Sequence, residues 1–427
     1  MQTGDVARQT VKRILLLSYA FPPMQTAETY LCAKAFGRLG DDIRVDVVTL
    51  NSEDLGLPQD RSMNQYIQEN FSKIIRVNPP AWITKKTFSW IRGFSAFPDR
   101  FRFFNSAIVR AVEKLDLDNY DLVISWSQWH SIHFAASSIK KRYPKLFWIA
   151  HLSDPWADNP FLPKFPFFSF IQKYLEKSAI SHADQLHFTT NETLSLVMKK
   201  YPASLLKKSY VIPHSYDSSL YDLNQEGDTS DTKDVRAVRY LGNFYGPRNP
   251  ETFLEALSLI LKFNPEILRG VRFEFVGRWI GANQSALAKF DFPDGLVLFK
   301  EPVSYLESLR LMRESDMLLI IDAPFAESIF FPSKLVDYIG AERPILAFTP
   351  PGCSADILNK IGGMVFSPED VSAVQSGLMH AIKELNRGVA KPPNKKLAES
   401  YSVERVSDQY LQCFSELIPR ESNSINS

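Results

Sequence analysis

Short unbroken apolar runs recur along the chain. Each is closed by a polar or proline-rich turn, and most are followed by a helical stripe. Residues 14–18, 45–49, 120–125, 146–150 and 185–190 form one series, and 238–242, 272–277, 296–299, 317–321, 344–348 and 362–366 form a second. Runs of this length predict strands covered on both faces. The stripes between them predict helices. Tyr30, Leu31, Ala33, Phe36 and Leu39 share one helical face, and similar patterns cover 176–184, 251–263, 304–314, 371–385 and 401–417. Alternating strands and helices predict parallel sheets of the α/β class. The polar stretch 218–236 separates the two series and reads as a linker. The expected organisation is a first domain over 1–217, a second over 237–400, and a terminal helix and tail over 401–427.

Composition narrows the classes without naming one. A chain of 427 residues exceeds one typical core, which agrees with two domains. A net charge of +1 gives no bulk field for nucleic acid. Cys32, Cys353 and Cys413 offer neither a disulfide framework nor zinc spacing, and point to a reducing, cytoplasmic compartment. No apolar run approaches the roughly 20 residues of a spanning helix. Lys12-Arg13 before 14–17 imitates a signal peptide, but the run is too short and Phe21-Pro22-Pro23 follows it.

The most informative stretch is 316–350. A strand over 317–321 leads through a loop holding Glu327 to Pro332-Ser333-Lys334, a helix start, with Leu335, Val336 and Ile339 as its apolar stripe and Gly340 as its stop. Ligands of such βαβ units bind beyond the carboxyl ends of the strands, and free N–H groups at a helix start suit phosphate. Lys334 adds a positive charge there, and Asp337, one turn deeper, suits a ribose diol.

This stretch resembles the donor site of GT-B glycosyltransferases of the family 4-like group, which carry paired acids around a proline, then a helix and a proline-led strand. Glu327 and Asp337 match the pair, with nine residues between them where seven is usual. The resemblance continues at Phe21-Pro22-Pro23, at Asp154-Pro155-Trp156, at Ile212-Pro213-His214-Ser215, and at the turn 243–250. It implies two Rossmann-like domains facing each other across a cleft, with the terminal helix crossing back to the first. It implies transfer of a sugar, with retained configuration, from a nucleotide-diphosphate sugar to a glycan or lipid-linked acceptor. The implied donor-site residues are Asn243, Arg248, Arg278, Ser333, Lys334 and Asp337. Arg248 would be the diphosphate-holding cation of its loop, since a guanidinium matches phosphate oxygens. His151 and Glu327 would lie near the sugar, and Pro23, Gln25, Thr26, Asp154 and Trp156 on the acceptor side. No cofactor and no metal are expected, because Asp116-Leu117-Asp118 precedes a strand instead of following one. The altered acid spacing, Gln25-Thr26-Ala27 in place of a glycine pair, and Asn243 in place of an arginine keep other readings open. These are an inactive nucleotide-sugar-binding scaffold and a sugar-nucleotide epimerase.

Two aromatic clusters remain. Trp82, Phe88, Trp90, Phe94, Phe97, Phe101, Phe103 and Phe104 interleave with Lys85, Lys86, Arg92, Arg100 and Arg102, and 161–170 reads FLPKFPFFSF. Either they pack onto the core, or they form a surface that meets the inner face of an anionic membrane.

Overall fold

A computed structural model describes residues 11–91, 98–161, 166–223, 235–279 and 289–417. The chain divides into two compact units. The first runs to Pro213 and regains the chain from Val403, and the second is His214–Ser402. Residues 224–234, most of the expected linker, lie outside the described residues.

The first unit is built on seven strands: β1 (Arg13–Ser18), β2 (Arg44–Leu50), β3 (Lys73–Val77), β4 (Leu122–Ser127), β5 (Phe147–Leu152), β6 (Gln185–Phe188) and β7 (Ser209–Val211). They form one parallel sheet in the order β3-β2-β1-β4-β5-β6-β7. The second unit holds β8 (Arg236–Leu241), β9 (Val271–Val276), β10 (Val297–Lys300), β11 (Met317–Ile321), β12 (Ile345–Phe348) and β13 (Met364–Phe366). Its parallel order is β10-β9-β8-β11-β12-β13. In each sheet the winding direction reverses once, between β1 and β4 and between β8 and β11. The carboxyl ends of such pairs are where ligands bind in open α/β sheets.

The central strands carry aliphatic residues on both faces because helices cover both faces; Ile14–Leu17 and Met317–Ile320 are buried without exception. The terminal helix Val403–Leu417 lies on the first unit, as expected. Tyr410 packs on Phe36 with ring centroids 5.4 Å apart, and Ser407 Oγ donates to the Arg38 carbonyl at 3.0 Å.

Several elements differ from the sequence expectation. β3 reads KIIRV at a sheet edge, with only Val77 buried, so no apolar run announces it. β5 runs on through His151, which pairs with Trp126 and His187 on the neighbouring strands. A helix covers Cys353–Ile361, behind a turn in which Gly352 has φ +117°. The helix expected from 176 starts at Pro166 and ends at Ile180. The helix Ser333–Gly340 ends at Gly340, where the stop was expected, and Tyr216 and Tyr221 press on that glycine. A Cβ there would stand 2.6 Å from Tyr221 Oη and 2.7 Å from the Tyr216 ring. Gly340→Ala should therefore cost about 1–2 kcal/mol through overpacking, read as a lower urea midpoint at unchanged slope.

The first aromatic cluster divides. Phe88, Phe101 and Phe104 are core residues at 0–1% exposure. Trp82 and Trp90 stay exposed. Phe94, Phe97 and Arg92 lie outside the described residues.

Candidate functional site

The second unit concentrates its chemistry at the ends of β8, β9 and β11. β8 ends in Gly242 at φ +140°, and β9 ends in Gly277 at φ +146°. Both are conformations that side-chain-bearing residues avoid. The two backbones also touch: a Cβ on Gly277 would lie 2.1 Å from the Gly242 carbonyl oxygen. A Cβ on Gly242 would lie 3.0 Å from Lys334 Nζ, so the glycine leaves the ammonium its space.

Lys334 sits at the start of the helix Ser333–Gly340, behind Pro332. Its Nζ is shielded from solvent, finds no hydrogen-bond partner among the described residues, and stands 3.8 Å from the centre of the Tyr240 ring. Burial drives its pKa well down, and the nearby Arg248 charge drives it further. Unmatched amines of this kind are costly inside a protein. The ring face offsets only part of that cost.

Arg248 lies beside it, already paired. Its Nη2 donates to Asp322 Oδ1 at 3.2 Å, and Asp322 also accepts from Thr349 Oγ1 at 2.9 Å. Burial works against the guanidinium charge, but Asp322 and Tyr240 hold its pKa above the usual value. An anion beside Gly242 would favour the charged form of Lys334, which burial and Arg248 now oppose. Arg248→Ala would strand the Asp322 carboxylate, which is 5% exposed. The expected loss of stability is about 2 kcal/mol, below the ~3–5 of a fully enclosed pair because Thr349 remains bonded. An unchanged denaturation midpoint would show that Asp322 does not depend on Arg248.

The other donor-side candidates surround this point. Asn243 and Arg278 are exposed, and are joined by a bond from the Arg278 N–H to Asn243 Oδ1 at 2.8 Å. Ser333 is the first helical residue. Asp337 is buried one turn deeper, where its Oδ1 accepts from Tyr305 Oη at 3.0 Å. Glu327 is exposed on the loop after β11. Tyr240, Gly277 and Asp322 were not singled out from sequence. Strand-end position was the one signal for them.

In the first unit, the loop after β1 is braced by a neighbouring segment. The Gln25 N–H donates to the Pro58 carbonyl at 2.8 Å, and the Pro23 carbonyl accepts from the Asp60 N–H at 2.7 Å. Thr26 caps the helix Ala27–Gly37, accepting from the Thr29 N–H at 3.2 Å. Asp154 accepts from Gln128 Nε2 at 2.8 Å. Trp156 is a core residue, 1% exposed, whose indole N–H donates to Gln172 at 2.7 Å. His151 is buried and stacks on the Trp126 ring at 3.6 Å.

Sequence reasoning passed over Glu28. It is 7% exposed, and its carboxyl meets both the Trp126 indole N–H and the Ser153 hydroxyl. Ser153 Oγ also donates to the Ser127 carbonyl at 2.7 Å. The Trp126 indole and the Ser153 hydroxyl both donate to one carboxyl oxygen of Glu28, Oε1. Burial raises the Glu28 pKa well above the carboxylate range, against these two donors. Asp99 is similarly raised to about 6 by burial, against donors from Ser131 and Phe101.

Neither a protein-family profile nor a curated protein matches the sequence. Solved structures do. Sucrose-phosphate synthase from Thermosynechococcus elongatus is 14% identical with a TM-score of 0.67, over 95% of this chain and 99% of that one. HepE from Anabaena, solved with UDP and glucose, is 13% identical at 0.64, over 95% and 100%. The UDP-forming α,α-trehalose-phosphate synthase from Burkholderia xenovorans, solved with glucose-6-phosphate, is 12% identical at 0.66, over 94% and 99%. At such identities the likeness establishes the fold, which is the α/β GT-B fold with its two parallel sheets.

Proposed function

We propose that this protein is a glycosyltransferase that moves a sugar, with retained configuration, from a nucleotide-diphosphate sugar to a glycan or lipid-linked acceptor in cell-surface polysaccharide synthesis. The carrying observation is Lys334, an enclosed amine without a hydrogen-bond partner at a helix start, facing the space that Gly242 leaves open. A folded chain keeps such an amine against its own stability where an anion will complete it.

In this reading the diphosphate lies against Lys334 and the N–H groups at Ser333. Charge builds on the diphosphate as the glycosidic bond breaks, and groups fixed in advance hold that charge without reorganising. Arg248, clamped by Asp322, contributes field more than direct contact. Gly242 makes space for the Lys334 side chain, and Gly277 for the Gly242 carbonyl. Asp337 would need to exchange its Tyr305 bond for a ribose hydroxyl. Glu327 is exposed enough to meet the sugar, and His151 is held rigid by Trp126. Neighbours of the same fold have been solved with UDP or glucose-6-phosphate, which supports a nucleotide sugar as donor and a sugar as acceptor.

The test is a panel of nucleotide sugars incubated with candidate acceptors, scoring released nucleoside diphosphate. Release supports the transferase. Binding without release supports a scaffold, the reading that the altered acid spacing favours. A changed sugar nucleotide without release supports an epimerase.

A further inference from the structure

The helix Pro166–Ile180 buries two polar residues beside Ala179 and Ile180 and leaves two aromatic rings outside. Its polar residues Gln172 and Glu176 face the interior at 1% and 0% exposure, while Phe170 and Tyr174 face solvent at 70% and 67%. The buried pair is fully engaged: Gln172 accepts from the Trp156 indole, and Glu176 meets Lys200 at 2.8 Å and accepts from the Ala157 N–H at 2.8 Å. The interior thus demands those polar residues. Nothing about folding demands aromatic rings outside, since burying them instead would be favourable.

The exposed face has one chemistry. Phe170, Lys173, Tyr174 and Lys177 follow one another at three- and four-residue steps, so they form a single stripe. Among the described residues of this helix no Asp or Glu is exposed. The first unit repeats the composition in 81–90, where Trp82 is 54% and Trp90 68% exposed beside exposed Lys85 and Lys86, again without an acid.

We propose that the Phe170–Lys177 stripe docks this protein on an anionic phospholipid surface, with Phe170 and Tyr174 entering the headgroup layer and Lys173 and Lys177 pairing with lipid phosphates. Composition selects the bilayer over a protein partner. Lysine is depleted at protein interfaces, whereas aromatic rings flanked by lysines suit the headgroup boundary, one end apolar and the other wet. Lys177, and Lys173 although it stands 3.8 Å from Asp158, give the stripe the sign complementary to an anionic leaflet. The inference does not depend on the transferase reading, since it uses no residue of the donor site.

The test is flotation with vesicles of phosphatidylglycerol and phosphatidylcholine, and with phosphatidylcholine alone, at low and high salt. The full chain is expected to float with the anionic vesicles at low salt and to sink at high salt, because the lysine attraction is screened. Lys173→Ala with Lys177→Ala should weaken partition about 30-fold, at roughly a five-fold effect per lysine. Phe170→Ser with Tyr174→Ser should remove flotation while leaving the melting curve unchanged, since both rings are exposed. Failure of the unaltered chain to float at low salt overturns the proposal. So does flotation that survives Phe170→Ser with Tyr174→Ser. Concentration-dependent dimerisation that this pair abolishes overturns it as well, in favour of a second copy of the chain.

Discussion

Lys334→Met is expected to make the ligand-free protein more stable and the nucleotide complex weaker. Ordinary core substitutions move both in the same direction or move stability down. Here the wild-type side chain buries an amine with no acceptor, so an apolar side chain of similar length removes a desolvation cost. The gain should be about 1–2 kcal/mol at neutral pH, read as a raised denaturation midpoint. Affinity for UDP or another nucleoside diphosphate should fall about 10- to 100-fold, from the loss of charge-assisted bonds worth about 1.5–3 kcal/mol.

The pH dependence gives the sign independently. Burial, then Arg248, lowers the folded-state pKa of Lys334, so the unfolded chain binds the extra proton. Wild-type stability should therefore rise with pH from the depressed folded value up to the unfolded one near 10.5, and the Met variant should lack that rise. Calorimetry in buffers of different ionisation enthalpy should show proton uptake when diphosphate binds the wild type. A less stable Met variant with unchanged affinity would remove Lys334 from the site.

Glu28→Gln carries the other large effect. Burial is the main cause that raises the folded acid's pKa well above the ordinary 4.5 of the unfolded acid. Folding therefore favours the protonated acid. The stability of the neutral form is complete below pH 4.5 and is lost as pH rises towards the raised folded value. The slope approaches about 1.4 kcal/mol per pH unit. Glutamine copies the neutral acid, since its side-chain oxygen can accept from both Trp126 and Ser153, as the Glu28 oxygen does. The variant should match wild type near pH 4.5 and gain on it as pH rises above that value. Urea midpoints at pH 5, 6, 7 and 8 measure the difference, which also cancels the similar contribution of Asp99. Parallel curves for the two proteins would mean that Glu28 is ionised in the fold.

Much of the architecture was legible from residue order alone. Consecutive aliphatic residues at 14–17 and 317–321 can be satisfied only between two covering layers, and the stripes between such runs supply those layers. Two series of these units on either side of a polar stretch led to two parallel sheets. The start of the helix Ser333–Gly340 was equally readable, because proline and serine suit a first turn in any surroundings. What escaped was whatever depends on a partner distant in the chain. β3 is a strand because β2 pairs with it, and its own residues carry little signal. Gly340 ends its helix, but the rings of Tyr216 and Tyr221 that require a glycine there are far off in the chain. Glu28 looks like a first-turn surface acid until Trp126 and Ser153, about a hundred residues on, enclose it. Likewise, no local pattern distinguishes Phe101 in the core from Phe170 in solvent. Burial, and with it the charge state of every enclosed side chain, is set by packing between segments that only the folded chain brings together.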